Sequence, residues 1–154
     1  IDGPYGSSFT TTGYRKITLV AGGIGITAAH SIFKGLFRQP TLLPPELVSV
    51  ELIWVMKDKS NIDMFKDTFE ELGEKGGYDG RFITSFFVTG NAEGKRGSYE
   101  YKTGRPDIHG VVRELAPLGM EALVWHCGPK ALGDICAEAT MEYGVDYKND
   151  SFEL

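Results

Sequence analysis

The sequence has 154 residues, of which 42% are hydrophobic and 24% are charged, and its formal net charge at pH 7 is −5. This composition is typical of one globular domain, and the acidic balance argues against a nucleic-acid-binding protein, which needs a basic face for phosphate. No apolar stretch approaches the ~20 residues that span a bilayer, so we expect the chain itself to be soluble.

The first half of the chain alternates between strand-like and helical patterns. A short apolar run predicts a strand at Ile17–Ala21, and apolar residues then recur at helical spacing from Ile26 to Phe37. A second strand is predicted at Ser49–Met56, followed by a helix with Ser60 as its N-cap. The third strand is predicted at Arg81–Thr89.

The second half continues the alternation after a loop, Gly90–Gly104, that is rich in glycine and charge and is a candidate mobile cover or partner contact. Pro106 opens a predicted helix, Met120–Cys127 predicts a strand, and Pro129 starts the last helix. The end of the chain, Asn149–Leu154, is a candidate for a short fifth strand.

This order predicts an α/β fold: a doubly wound, mainly five-stranded parallel sheet with helices on both faces, because each crossover must return on one face or the other. Ligands in such sheets bind at the carboxyl ends of the strands. The candidate site residues are therefore sought at residues 22–28, 57–60, 89–106 and 126–130.

The first of these strand ends carries a glycine motif. Gly23–Ala28 matches G-x-G-x-x-A after a predicted strand and at the start of a predicted helix, the context of a dinucleotide-binding fingerprint. Backbone without Cβ atoms can approach a pyrophosphate, whose charge suits the unpaired N–H groups of the helix start, and Thr27 can add a hydroxyl. A tight strand-to-helix turn without a ligand is the alternative.

The second strand ends in a mixture of charges. Lys57 or Lys59 can bind the 2′-phosphate of NADPH, whereas Asp58 can accept hydrogen bonds from the ribose hydroxyls of NADH. Arg105 precedes a helix at the same edge of the sheet, where its guanidinium suits a phosphate. For the lysines and for Arg105, the alternative is an ordinary surface cation.

The fourth strand end carries a thiol and an imidazole. Gly128–Pro129 is a turn-to-helix signal by itself, and a buried structural residue is the common fate of a cysteine such as Cys127. His126, His109 and His30 lack the spacing of metal ligands, so they are expected to be structural or exposed and no metal site is predicted.

Six segments together resemble the nicotinamide-nucleotide-binding lobe of the ferric reductase and NADPH oxidase family, which is related to ferredoxin–NADP reductase. They follow the family order: DGPYG (2–6), LVAGGIGIT (19–27), LIWVMKD (52–58), GRPDI (104–108), CGPKAL (127–132) and NDSFEL (149–154). The resemblance implies that residues 1–15 are the exit segment of an FAD-binding domain and that residues 16–154 form the NAD(P)H-binding domain.

The resemblance also implies roles for matching residues. Lys57 stands where the family often has Arg reading the 2′-phosphate, and Cys127 would line the nicotinamide pocket. Phe152 resembles the C-terminal aromatic that stacks on the flavin until nicotinamide displaces it, with Asp150 as the acid near that stack. The candidate catalytic residues are Cys127 and Phe152. The candidate cofactor-binding residues are Gly22, Gly23, Gly25, Ile26, Thr27, Lys57, Asp58, Arg105, Pro106, Cys127, Gly128, Pro129, Asp150 and Phe152.

The function that the resemblance implies is the NADPH-binding half of a flavin-dependent transmembrane oxidoreductase. It would position nicotinamide for hydride transfer to FAD, and electrons would pass through haem to oxygen or ferric iron, with NADH as the alternative nucleotide. The partners would be the FAD-binding and haem-containing membrane domains of the parent chain, at the cytosolic face of a membrane, and regulatory subunits are compatible with this arrangement. A soluble flavin reductase and a non-catalytic nucleotide-sensing module are the alternatives.

Overall fold

Six strands and four helices organise the part of the chain that the computed structural model describes, residues 9–74, 80–91 and 101–150. The strands are β1 (Lys16–Gly22), β2 (Ser49–Asp58), β3 (Phe82–Asn91), β4 (Lys102–Thr103), β5 (Ala122–Cys127) and β6 (Asp146–Asn149). The helices are α1 (Ile26–Arg38), α2 (Lys66–Glu74), α3 (Ile108–Leu115) and α4 (Lys130–Tyr143). The strands form one sheet in the order β4-β3-β2-β1-β5-β6, and all neighbours pair in parallel.

Two hydrophobic clusters cover the two faces of this sheet. Phe33 of α1 and Phe69 of α2 lie in the first cluster, whereas Val112 of α3 and Ala139 of α4 lie in the second. Every residue of β5 is buried, which explains why all of them except His126 are apolar, because a central parallel strand needs apolar side chains on both faces. The predicted doubly wound α/β fold is confirmed.

Two features of the sheet differ from the predicted set of strands. Lys102–Thr103 forms a two-residue strand inside the predicted loop, so the described sheet has six strands, and residues 92–100 of that loop lie outside the described residues. The last strand is Asp146–Asn149, ahead of the terminal segment in which a strand was expected. Both are short edge strands with polar residues, so they lack the apolar alternation from which strands are predicted.

The helical segment after β2 begins differently from the prediction. The carboxylate of Asp58, rather than Ser60, is the N-cap: it accepts a hydrogen bond from the Ser60 backbone N–H at 2.9 Å. A 3-10 segment, Lys59–Phe65, then precedes α2. Asp and Ser are equally good N-caps, so the aspartate two residues earlier starts the turn first.

The segment before β1 packs on the domain as well. Tyr14 belongs to the first hydrophobic cluster, and its hydroxyl donates a hydrogen bond to the carboxylate of Asp146 at the start of β6. The ring of Phe9 contacts Trp125 edge-on, with centroids 6.4 Å apart. The division of the chain at residue 15 stays a prediction.

Candidate functional site

The parallel sheet brings the carboxyl ends of its strands to one edge. Connections from β1 and β5 lead to opposite halves of the sheet, since β2 lies on one side of β1 and β6 lies beyond β5. A crevice opens at such a switch point, and ligands of doubly wound proteins bind there. In this chain the switch point lies between β1 and β5, where the loop that follows Gly22 faces the turn that follows Cys127.

The loop after β1 offers backbone N–H groups that no side chain caps. It is the short 3-10 turn Gly23–Gly25, which leads directly into α1, and neither element has a side-chain cap hydrogen bond. Gly23 has a φ of 55°, and no atom lies within 4 Å of the position that its Cβ would take. This open, amide-rich bend at the positive end of a 13-residue helix suits a diphosphate.

Two other glycines let the β1 loop and the β5 turn approach backbone to backbone. A Cβ on Gly25 would lie 2.1 Å from the carbonyl oxygen of Cys127. A Cβ on Gly128, whose φ is 144°, would lie 2.5 Å from the carbonyl oxygen of Gly22. These positions therefore need glycine so that the two turns can pack against each other, whether or not a ligand binds.

The side chains of the β1 loop point in different directions. Ile26 is buried in the first hydrophobic cluster, so only its backbone faces the crevice, whereas Thr27 is exposed. At the other side of the crevice, Pro129 is exposed and Gly128 is half-buried.

The Cys127 side chain is fully buried in the first hydrophobic cluster. Burial and, to a smaller extent, the negative charge of Asp150 raise its pKa to about 11. The thiol is therefore protonated at neutral pH and is not a thiolate nucleophile.

The charged residues after β2 lie at the same edge as the crevice, one strand away. Lys57 is exposed, while Asp58 is half-buried and one of its carboxylate oxygens is occupied by the Ser60 N–H. That hydrogen bond lowers the pKa of Asp58, so the carboxylate is ionised. The pairing of β2 with β3 is irregular between Met56 and Asp58, so the regular alternation of side chains does not extend through Lys57.

Arg105 lies just beyond β4, at the far end of the same edge. Its side chain is exposed, Pro106 is half-buried, and Asp107 caps α3 by accepting a hydrogen bond from the Gly110 N–H at 3.0 Å. Two strands, β3 and β2, separate β4 from the glycine loop. The sheet thus places Arg105 on the Lys57 side of the crevice, opposite the β5 turn.

A cleft of about 330 Å³ adjoins the other end of this edge, beside α1, β5 and β6. It is lined by Phe9, Thr10, Ile32, Trp125, Lys148, Asn149 and Asp150. Asp150 therefore borders open space, and its predicted place near the nicotinamide stays a prediction. Phe152 and the segment Asp2–Gly6 lie outside the described residues.

A comparison with known families identifies the chain. A family model described as the ferric reductase NAD binding domain matches residues 14–103. The chain belongs to this family. Its predicted resemblance to that family is thereby confirmed.

Proteins that contain this kind of domain include several oxidoreductases. The chain is 28% identical to a superoxide-generating NADPH oxidase heavy chain of Dictyostelium discoideum, over 86% of this chain and 22% of that protein. It is 27% identical to the NAD(P)H nitrate reductase of Hordeum vulgare (88% and 15%) and 27% identical to NADH-cytochrome b5 reductase 1 of Ajellomyces capsulatus (94% and 44%). The chain spans less than half the length of each of these relatives.

Solved structures share the fold of this ferric reductase NAD-binding domain. The CS-b5R domains of human Ncb5or in the NAD+ form match with a TM-score of 0.62 at 18% identity, over 89% of this chain and 37% of that chain. The ferredoxin reductase in carbazole 1,9a-dioxygenase matches with a TM-score of 0.54 at 21% identity, over 92% and 39%.

Within the described ranges, the ferric reductase NAD-binding domain has no group of three or more His, Cys, Asp or Glu side chains arranged to hold a metal ion. None of its described helices combines the length and apolar character needed to cross a bilayer.

Sequence reasoning missed three features of the site. Gly25 and Gly128, whose predicted roles at the ligand stay predictions, also allow close contact with backbone atoms of the facing loop. Gly90 similarly allows β3 to approach the Lys57 carbonyl oxygen, 2.5 Å from where its Cβ would lie. The imidazole of His126 in β5 forms a hydrogen bond with the side chain of Asn149 in the neighbouring strand β6. Only the glycines at strand ends could have signalled such close packing.

Proposed function

We propose that this domain binds NADPH across the carboxyl edge of its sheet, as the nucleotide-binding half of a flavin-dependent membrane oxidoreductase of the NADPH oxidase or ferric reductase type. When bound, NADPH supplies a hydride that FAD, held by another domain, accepts. Haem would then carry the electrons to oxygen or ferric iron. The similarity to the Dictyostelium NADPH oxidase heavy chain supports this proposal.

The observation that carries the proposal is the uncapped glycine bend at the switch point. The N–H groups of Gly23–Gly25 and of the first turn of α1 would bind the pyrophosphate, since no side chain caps them; the exception is the N–H of Ile26, which donates to the carbonyl oxygens of Gly23 and Ile24. The open space beside Gly23 leaves room for phosphate oxygens. The bend also touches the Cys127–Gly128 turn, so a dinucleotide held there would extend over both halves of the sheet.

Lys57 is the residue on which we base the preference for NADPH over NADH. Its exposed ammonium lies at the end of β2, where Rossmann-type sites bind the adenine ribose, and Arg105 lies farther along the same edge. The ionised Asp58 opposes a 2′-phosphate and favours ribose hydroxyls. A charge-assisted contact from Lys57 contributes ~1.5–3 kcal/mol, and one carboxylate oxygen of Asp58 is already occupied by the Ser60 N–H, so we expect the Lys57 contact to outweigh the carboxylate.

The residues at the β5 turn would position the nicotinamide. Cys127 offers a neutral sulfur, Gly128 provides a backbone without Cβ, and Asp150 borders the cleft beyond them. Their roles, and that of Phe152 against the flavin, are part of the proposal. By itself the chain would bind the nucleotide without turning it over, because hydride transfer needs the flavin to be held near the nicotinamide.

Calorimetric titration of the chain with NADPH and NADH tests the proposal. We expect NADPH to bind at least about 10-fold more tightly, as a contact of ~1.5 kcal/mol predicts, and to shift the backbone amide resonances of residues 22–28. Lys57→Ala should remove most of the preference. Lys16→Ala removes the same charge from the amino end of β1 and should leave the preference intact.

Three outcomes are informative. Equal affinities for the two nucleotides in the natural sequence would contradict the NADPH preference but not nucleotide binding. Amide shifts absent from residues 22–28 at saturating nucleotide would overturn the site itself. If the preference for NADPH survives Lys57→Ala, another cation at this edge must bind the 2′-phosphate.

A further inference from the structure

His126 lies inside the sheet directly beneath the candidate nicotinamide end of the site. It is 1% exposed and is the residue before Cys127 in β5, so the two side chains project to opposite faces. Cys127 belongs to the cluster beneath α1, and the His126 ring lies against α4. The ring is therefore out of reach of a ligand that contacts the thiol.

The first turn of α4 accommodates this ring by having a glycine. A Cβ on Gly133 would lie 2.8 Å from both Cε1 and Nδ1 of His126. Glycine inside a helix costs roughly 1 kcal/mol relative to alanine. Gly133 is nevertheless needed at this buried helical position, because any larger residue would displace the imidazole of His126.

The ring is oriented by the end of β6. Its Nδ1 lies 3.0 Å from the side-chain oxygen of Asn149, and an amide oxygen only accepts hydrogen bonds, so Nδ1 carries the proton. Nε2 is then the unprotonated nitrogen, and it has no hydrogen-bond partner among the described residues. Burial lowers the pKa of His126, against the opposing effects of the Asn149 bond, of a hydrogen bond to the Pro129 backbone and of the Asp134 charge, so the ring stays neutral.

The backbone of the same residue holds the next position of the chain. The Asp150 N–H donates to the His126 carbonyl oxygen at 2.9 Å. His126 thus binds two consecutive residues, Asn149 through its side chain and Asp150 through its backbone. Asp150 in turn lies close enough to Cys127 for its charge to raise the pKa of the thiol.

We propose that His126 is a positioning residue: through its bond to Asn149 it holds the end of β6, and with it Asp150, in register with the Cys127–Gly128 turn that receives the nicotinamide. This inference rests on the proposed function, because it assumes that the nicotinamide reaches that turn. His126 itself touches neither the nucleotide nor the reacting atoms.

Substitutions of Asn149 test the inference, because Asn149 is exposed and its replacement leaves the core intact, whereas a buried His126 variant can fail to fold. Asn149→Ala removes the oxygen that accepts the hydrogen bond from His126 Nδ1, and Asn149→Asp keeps an oxygen in that place. The probes are NADPH and 2′-phospho-ADP-ribose, which has the same phosphates but lacks nicotinamide. The readouts are the backbone amide shifts of residues 22–28, Cys127 and Asp150, and the imidazole nitrogen shifts of His126.

In the natural sequence we expect NADPH to shift all of these amides and 2′-phospho-ADP-ribose to shift only those of residues 22–28. Asn149→Ala should keep the response of residues 22–28 but reduce the NADPH response of Cys127 and Asp150 by at least half. The protonated nitrogen of His126 should no longer be confined to Nδ1. Asn149→Asp should restore both the amide response and the Nδ1–H tautomer.

The outcomes separate the inference from the proposed function. No shift at residues 22–28 in the natural sequence would overturn the proposed function. Shifts at residues 22–28 without any at Cys127 or Asp150 would leave nucleotide binding standing and overturn the positioning role. The positioning role would also be overturned if Asn149→Ala responded like the natural sequence.

Discussion

At the scale of single residues, His30 shows how burial controls charge in this domain. It lies in α1 with its ring stacked on Phe65, centroids 3.8 Å apart, and its Nε2 is 2.7 Å from the hydroxyl of Thr68. Burial, reinforced by the positive charges of Lys34 and Arg38, lowers its pKa to about 4. The imidazole is therefore a neutral part of the contact between α1 and the segment that follows β2.

This environment predicts a pH dependence of stability. The folded-state pKa lies below the unfolded value, so the unfolded chain binds more protons between about pH 6.5 and 4, and the free energy of unfolding should fall as pH falls through that window. Above about pH 6.5 His30 is neutral in both states, so this loss of stability is absent. Urea denaturation at pH 7 and at pH 5 measures the difference in the free energy of unfolding.

His30→Gln is the variant for this prediction, since glutamine can bond to Thr68 but does not titrate. We expect it to lose roughly 1–3 kcal/mol of stability at pH 7, through the missing ring, and to show a smaller decrease between pH 7 and pH 5. His109→Gln, on the outer side of α3, is the matched control. A pH effect that disappeared in the control but persisted in His30→Gln would contradict the assignment.

At the scale of elements, the loop after β1 and the turn after β5 pack directly against each other. The β1 loop and the β5 turn touch through backbone atoms, and Gly25 and Gly128 make that contact possible. The candidate pyrophosphate and nicotinamide ends of the site are therefore parts of one packed unit. A substitution that moves one turn should therefore also displace the other.

Gly25→Ala tests this coupling. Its methyl group would fall 2.1 Å from the Cys127 carbonyl oxygen, so the two turns must separate. We expect a loss of about 1–3 kcal/mol in the free energy of unfolding, as for other overpacked sites, and amide shifts at Cys127 and Gly128.

Gly73→Ala, measured by the same urea titration, is the control because no atom lies within 4 Å of its Cβ position in α2. Alanine favours helix, so this variant should be as stable as the natural sequence or more so. Equal stabilities for the two alanine variants would show that the turns do not depend on each other.

At the scale of the whole molecule, the two hydrophobic clusters share their strands. In β1, Leu19 belongs to the first cluster and the adjacent Val20 to the second, and β2 and β5 divide their side chains in the same way. Neither cluster can lose its strands without uncovering the other. The described domain should therefore unfold as one cooperative unit.

The two cysteines report on this cooperativity, because Cys127 lies in the first cluster and Cys136 in the second, and both are fully buried. Their thiols should become reactive toward an alkylating reagent at the same urea concentration. Phe33→Leu, a change in the first cluster only, should lower both midpoints together, by an amount equivalent to roughly 1 kcal/mol. Separate midpoints would show that the faces unfold independently.

The features that the sequence predicted correctly are those encoded in contiguous residues. Apolar periodicity located β1, α1, β2 and β3, and the glycine motif lies at the strand-to-helix junction. The candidate residues also share one edge, as parallel strands require. Their functional roles stay predictions, and the terminal residues, including Phe152, lie outside the described structure.

By itself, the sequence determined most of the element types and the doubly wound fold, and it predicted the edge where a ligand would bind, because hydrophobic period and turn chemistry act over a few neighbouring residues. Only the tertiary structure decided the short edge strands β4 and β6, the close approach of Gly25 to Cys127, and the bond between His126 and Asn149. Those contacts join residues distant in the chain, and they exist because the strand order places β5 between β1 and β6.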